Sequence, residues 1–203
     1  MSKKDHRAEK GDKNKKVVQL EQAGEIDFAG KVRHKAFRPQ RILEILAKHQ
    51  VDFILIGGVA STIHGAPFMT VDLDVVPALE TSNLDRLAAA LRELKAVLRD
   101  ESAEDGVDIK FDGRMLKRAI PDIGFLRFET KYGFLDIIYR PAGTRGFRDL
   151  AKSALPQDAG SFQVQVASLE DVIRSKQAVA RPRDLEQLPT LRRLLEVNED
   201  SAD

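Results

Sequence analysis

The stretch that most limits what this chain can fold into is residues 53–77, FILIGGVASTIHGAPFMTVDLDVVP. An apolar strand runs into Gly57-Gly58, a short helix-forming segment follows, and a second strand carries Asp72 and Asp74 with one residue between them. Side chains alternate across a strand, so the two aspartates share one face and Val71, Leu73 and Val75 share the other. Carboxylates two residues apart on a strand are separated by roughly 7 Å, a spacing at which oxygen ligands can serve hard divalent cations. A diglycine bend opening a helix beside them offers backbone N–H groups to a phosphate. The pattern describes a site for a metal-bound nucleotide.

The rest of the composition narrows the chemistry. The 203 residues suffice for one domain with a sizeable core. Charged residues make up 32% of the chain and cancel to +1, so no strong overall field draws it to nucleic acid or an anionic membrane. The absence of cysteine excludes disulfides, thiolate metal sites and thiol nucleophiles, and leaves carboxylates and four histidines as metal ligands. With no apolar run of membrane-spanning length and a polar N-terminus, a soluble cytoplasmic protein is expected.

Residues 1–16 hold seven basic and three acidic side chains and no large apolar one after Met1. Such a segment buries too little to offset its ordering entropy, which makes it part of a largely disordered tail over 1–37. It reads either as a solvated tail or as an arm on RNA or DNA phosphates. The folded unit is expected over 38–197, with a C-terminal helical part over about 168–197 and a short tail at 198–203.

Within that unit, residues 39–49 form an amphipathic helix through Ile42, Leu43, Ile45 and Leu46, with Pro39 in its first turn. A strand at 52–56 precedes the diglycine. Gly65 is a left-handed helix stop, which makes His64 a C-terminal cap rather than a ligand. The carboxylate strand spans 70–77. A helix over 81–98, capped by Ser82 or Asn83, buries Leu84, Leu87, Ala88, Leu91 and Leu94. Residues 100–118 are irregular, with a short strand at 107–111. Strands at 124–129 and 134–140 form a hairpin through 130–133. The second carries Asp136 among Phe134 and Ile138, where a charge is expensive to bury unless paired or bound to a cation. It is either a third ligand or a residue of an exposed edge strand. A short helix at 144–154, an edge strand at 162–166, a helix from Ser168 to about Val179 with a capping-box-like start, and a last helix over 184–197 complete the chain.

Gly57-Gly58, thirteen residues, Asp72-Leu73-Asp74-Val75 and later Leu135-Asp136-Ile137 together resemble the signature of the polymerase-β-type nucleotidyltransferase superfamily. Within it the chain is similar to small bacterial members related to abortive-infection, AbiEii-like, nucleotidyltransferase toxins. His64-Gly65, Thr70, and Lys176 followed by Arg181 and Asp184 belong to the same resemblance, which runs from about residue 38 to 196. It implies an α+β fold: a mixed sheet with helices mainly on one face, the cleft on the other, and C-terminal helices packed alongside. It also implies transfer of a nucleoside monophosphate from a nucleoside triphosphate, ATP among them, to a hydroxyl on RNA (tRNA) or protein, by two-metal catalysis with Mg²⁺ or Mn²⁺.

By the same resemblance Asp72, Asp74 and Asp136 are the catalytic metal ligands, and Gly57, Gly58, Ser61, Lys176 and Asp184 bind the nucleotide. A cognate antitoxin or toxin is an implied partner. Related sequences carry an arginine just before the carboxylate strand, where this chain has Phe68-Met69. That departure keeps open a catalytically weak or inactive nucleotide- or partner-binding module of the same fold. A glycosyltransferase metal motif lacks the larger nucleotide-binding unit that normally precedes it, and no third glycine completes a dinucleotide fingerprint.

Overall fold

In the computed structural model, residues 36–100, 103–107 and 110–200 are described. Of the expected tails over 1–37 and 198–203, residues 1–35 and 201–203 lie outside the described residues. In chain order the elements are α1 (Pro39–Lys48), β1 (Phe53–Ile56), α2 (Gly57–Ile63), β2 (Asp72–Pro77), α3 (Thr81–Glu93), β3 (Val97–Asp100), β4 (Ala103–Val107) and α4 (Gly113–Ile123). They continue with β5 (Phe125–Thr130), β6 (Gly133–Ile138), α5 (Phe147–Leu150), β7 (Leu155–Asp158), β8 (Gln163–Val166), α6 (Leu169–Val179) and α7 (Pro182–Asp200).

All the strands join one eight-stranded sheet in the order β4-β3-β5-β6-β2-β1-β8-β7. The sheet is mixed, since β2 runs antiparallel to β1 and parallel to β6, while β8 runs parallel to β1. Strand parity divides its middle into two chemically different faces. Leu73, Val75, Leu126, Phe128, Leu135 and Ile137 are paired across β2, β6 and β5, and none is more than 3% exposed. Each such side chain contributes about 1.5–3 kcal/mol by leaving water. Phe111 meets Phe128 edge-on, with ring centroids 5.4 Å apart. The opposite face carries Asp72, Asp74, Arg127, Phe134 and Asp136.

The helices begin and end for local reasons. In α1 the predicted stripe of Ile42, Leu43, Ile45 and Leu46 is buried, and the core begins as early as Phe37. The expected helix over 81–98 stops at Glu93, because Lys95 turns the backbone to φ +52° and the chain re-enters the sheet as β3 beside β5. Neither Ser82 nor Asn83 caps it through a side chain. Asn83 is buried instead and ties two loops to the helix start: its Nδ2 donates to the carbonyls of Asp52 and Ala78 at 2.8 and 2.9 Å, and its Oδ1 accepts from Asp52 N–H at 2.7 Å.

Part of the stretch read as irregular is α4. Asp112 caps it by accepting from Met115 N–H at 2.8 Å, Leu116 and Ile120 are fully buried, and Gly124 ends it at φ +80°. The strand expected at 107–111 is displaced toward the N-terminus, with β4 ending at Val107. The expected helix at 144–154 contracts to α5. Strand β8 is not an edge strand, because β7 pairs with its outer side and becomes the edge. Ser168 accepts from Asp171 N–H at the start of α6, as its capping pattern predicts. Helix α7 begins two residues before the expected 184, on Pro182, and packs against α6, which in turn packs against α2. Among the described residues no helix is long and apolar enough to cross a membrane.

Candidate active site

The site grows from the registry of three strands. Asp74 on β2 lies directly beside Asp136 on β6, and Asp136 lies directly opposite Arg127 on β5. Asp72, two residues before Asp74, shares their face. The third acid is therefore brought to the first two, and it belongs to an interior strand rather than an exposed edge.

Arg127 holds the group together. Its Nε donates to Asp136 Oδ1 at 2.9 Å, and its Nη2 donates to Asp136 Oδ2 at 2.6 Å and to Asp72 Oδ2 at 3.1 Å. This forked contact is what permits Asp136 to be only 2% exposed, since a buried carboxylate needs a charged, hydrogen-bonding partner. The guanidinium carbon lies 5.7 Å from the Phe125 ring centre and 5.4 Å from that of Phe134, so aromatic faces flank the cation. Thr70 Oγ1 donates to Asp72 Oδ1 at 2.8 Å and fixes that carboxylate from its other side.

Crowding of negative charge shows in the proton affinities. Burial, then the neighbouring charges of Asp72 and Asp136, push Asp74 up to about 7, against the opposing pull of the Gly58 N–H and of Arg127. Burial also raises Asp136, with Arg127 partly countering it.

The diglycine is required by close approach. Gly57 has φ +72°, and a Cβ there would lie 2.0 Å from Asp74 Oδ2; a Cβ on Gly58 would lie 2.5 Å from Thr70 Oγ1. The bend thus admits the carboxylate of β2 against the start of α2, and the Gly58 N–H is bonded to Asp74. Ser61 is fully buried, and its hydroxyl donates to the Gly57 carbonyl at 2.9 Å, bracing the bend from within. His64 caps α2, and its ring Nε2 lies 2.8 Å from the Ala167 carbonyl, linking the helix to the start of α6.

Lys176 and Asp184 meet at the junction of α6 and α7. Lys176 Nζ lies 3.2 Å from Asp184 Oδ1 and 2.7 Å from Gln187 Oε1, and Arg181 Nε donates to Asp184 Oδ2 at 2.9 Å. Burial opposes ionisation of Asp184, but the hydrogen bonds and charges of Arg181 and Lys176 outweigh it and hold the carboxyl below its usual range. One residue earlier, Arg183 donates to the Met69 carbonyl at 2.7 Å, which anchors the approach to β2 on the first turn of α7.

Three carboxylates on adjoining strands present only hard oxygen donors, the set preferred by Mg²⁺ or Mn²⁺. The Asp74 carboxylate also occupies space that any side chain at Gly57 would fill. The donor chemistry and the surplus negative charge fit such an ion. As the side chains stand, no three acidic or histidine groups among the described residues are gathered closely enough to hold one. The place between Asp72 and Asp136 is taken by Arg127.

Arg127 is the site residue that motif reading missed, although the hairpin contained the signal. A two-residue loop, Lys131-Tyr132, pairs Thr130 with Gly133, and counting back along both strands sets Arg127 against Asp136.

Comparison with known proteins bears on this arrangement. The profile of the "Nucleotidyl transferase AbiEii toxin, Type IV TA system" family matches residues 41–185, more than two thirds of the chain. No curated protein matches it. A crystal structure of a Thermotoga maritima protein that bears a nucleotidyltransferase assignment aligns at 18% identity and a TM-score of 0.44, covering 82% of this chain and 99% of that one. At that level of similarity it adds nothing to the assignment. The family match spans the diglycine, all three aspartates, Lys176 and Asp184, and the chain belongs to the AbiEii family of nucleotidyl transferase toxins.

Proposed function

We propose that the protein transfers a nucleoside monophosphate from a nucleoside triphosphate to a hydroxyl on RNA, such as tRNA, or on protein, and that it is the toxin of a toxin–antitoxin pair acting in the cytoplasm. The observation that carries this reading is the side-by-side registry of Asp74 and Asp136 on parallel strands, with Asp72 bridged to Asp136 through one guanidinium.

In this reading Asp72, Asp74 and Asp136 would hold Mg²⁺ or Mn²⁺. When bound, the ions neutralise phosphate charge and lower the proton affinity of the acceptor hydroxyl. Asp136 takes up the acceptor's proton. The acceptor oxygen bonds to the α-phosphorus as the bond to the pyrophosphate oxygen breaks. Gly57 and Gly58 leave the entrance free of side chains, so the triphosphate can pass close to the backbone. Lys176, steadied by Asp184 and Gln187, contributes a point charge toward the phosphates. Ser61 acts one step back, by fixing the Gly57 carbonyl. Such chemistry depends on position and charge neutralisation more than on covalent help.

Purified protein with Mg²⁺ and each labelled triphosphate is expected to label RNA or protein from a cell extract, and Asp72→Asn or Asp136→Asn to abolish labelling. If those variants label as well as the parent, the assignment is wrong. Phe68, half-buried against the core where the resemblance to the superfamily implies an arginine, favours a second reading, a module that binds nucleotide without turnover. That reading predicts Mg²⁺-dependent nucleotide affinity with no product.

A further inference from the structure

Resting on the metal site proposed above, we propose that Arg127 is the resident counter-cation of the acid cluster, which a divalent ion must displace from Asp72 and Asp136, freeing the guanidinium for the triphosphate. The hydrogen bonds show why the two cations compete. Both oxygens of Asp136 are occupied by Arg127, and Asp72 gives one oxygen to Arg127 and the other to Thr70. An ion that takes Asp136 and Asp72 as ligands needs oxygens that the guanidinium now holds. Sharing them would also place two positive charges in contact.

The surroundings allow Arg127 to leave. Its side chain is 40% exposed, unlike the 2% of Asp136, so its release opens no void in the core. The rings of Phe125 and Phe134 flank it on the open face, and Phe125 is itself 44% exposed. A guanidinium turning outward keeps an aromatic surface to rest on, which lowers the penalty for giving up its carboxylates. The charge count favours the exchange: three carboxylates against one guanidinium leave a negative surplus that a divalent ion satisfies better.

Once displaced, the guanidinium presents forked donors beside the acids, suited to bidentate contact with a phosphate. Arg127 thereby supplies, from β5, the phosphate donor that Phe68-Met69 does not provide ahead of β2. Arg127 is thus a nucleotide-binding residue whose two tasks have opposite signs: it opposes the metal when alone and assists the nucleotide once the metal is in place. A merely structural arginine would not separate these two affinities.

The test measures Mn²⁺ binding to the full chain by electron paramagnetic resonance, without nucleotide, for the parent, Arg127→Met, Arg127→Lys and Asp74→Asn. Arg127→Met is expected to bind Mn²⁺ about tenfold more tightly than the parent, equivalent to about 1.4 kcal/mol, with Arg127→Lys between them. With Mg²⁺ present, both Arg127 variants are expected to bind a non-hydrolysable triphosphate about tenfold more weakly, as expected for loss of a charged bidentate contact.

The parent keeps the proposal falsifiable should Arg127→Met not fold. The Arg127 Nε–H resonance, which reports the bond to Asp136, is expected to shift on Mg²⁺ titration. Mn²⁺ binding to the parent that Asp74→Asn abolishes, combined with an unmoved Nε–H resonance or no gain in the Arg127 variants, overturns the displacement while leaving the metal site standing. Mn²⁺ binding to neither the parent nor any Arg127 variant overturns the metal site itself, and the displacement with it.

Discussion

Replacing Asp74 with asparagine is expected to stabilise the metal-free protein and to flatten the dependence of its stability on pH. In the folded chain burial, followed by the charges of Asp72 and Asp136, raises Asp74 from 3.8 to about 7. Between those two values the folded state keeps a proton that the unfolded chain has lost, so stability falls as pH rises through the window. At about 1.36 kcal/mol per pKa unit, the full displacement corresponds to about 4 kcal/mol lost by neutral pH. Relaxation around the charge reduces this, and a gain of about 2–4 kcal/mol for Asp74→Asn at pH 8 is the working figure. For a chain of this size that is a rise of roughly 5–10 °C in Tm. Urea unfolding of parent and variant in EDTA at several pH values between 4 and 8 checks it. Parallel pH profiles, or parent stability that climbs from pH 4 to pH 7, would refute the electrostatic account of the site.

Gly57→Ala is expected to lose transferase activity and about 1–3 kcal/mol of stability, since its Cβ would meet Asp74 Oδ2 at 2.0 Å on a backbone already at φ +72°. Urea unfolding with a labelling assay measures both. Asn83→Ala removes three hydrogen bonds that join Asp52 and Ala78 to the start of α3, and should lower the unfolding free energy by about 3 kcal/mol with m unchanged.

How much of this could be read beforehand depended on the range of the physics involved. Strand parity and helical spacing are local, so β1, β2, the β5–β6 hairpin and the buried stripe of α1 lie near where their residues predict. Asp72 and Asp74 share a face for the same local reason. The side-by-side placement of Asp74 and Asp136 depends on β6 pairing with β2 across some sixty residues of chain, which the sequence indicates only through the cost of burying Asp136 and through the family resemblance. Leu94 continues the helical stripe beyond the end of α3, while the turn at Lys95 is fixed by β3 joining β5. In α4, Arg114, Lys117, Arg118 and Pro121 carry a loop-like pattern, and only the burial of Leu116 and Ile120 against the core makes the segment a helix. Ser61 shows the limit of motif transfer: a hydroxyl at a plausible position has its proton committed to a carbonyl one turn away.

Strand β2 is flanked by β1 on one side and β6 on the other, with three further strands beyond β6 and two beyond β1. Amide protons there can exchange with solvent only when the sheet itself opens, so Leu73 and Val75 should mark the slowest-exchanging part of the backbone. Asp72 and Asp74 consequently sit on the least yielding segment of the molecule, with Asp136 on the strand beside it, and sequence drift at the outer strands can reshape what reaches them without disturbing their spacing.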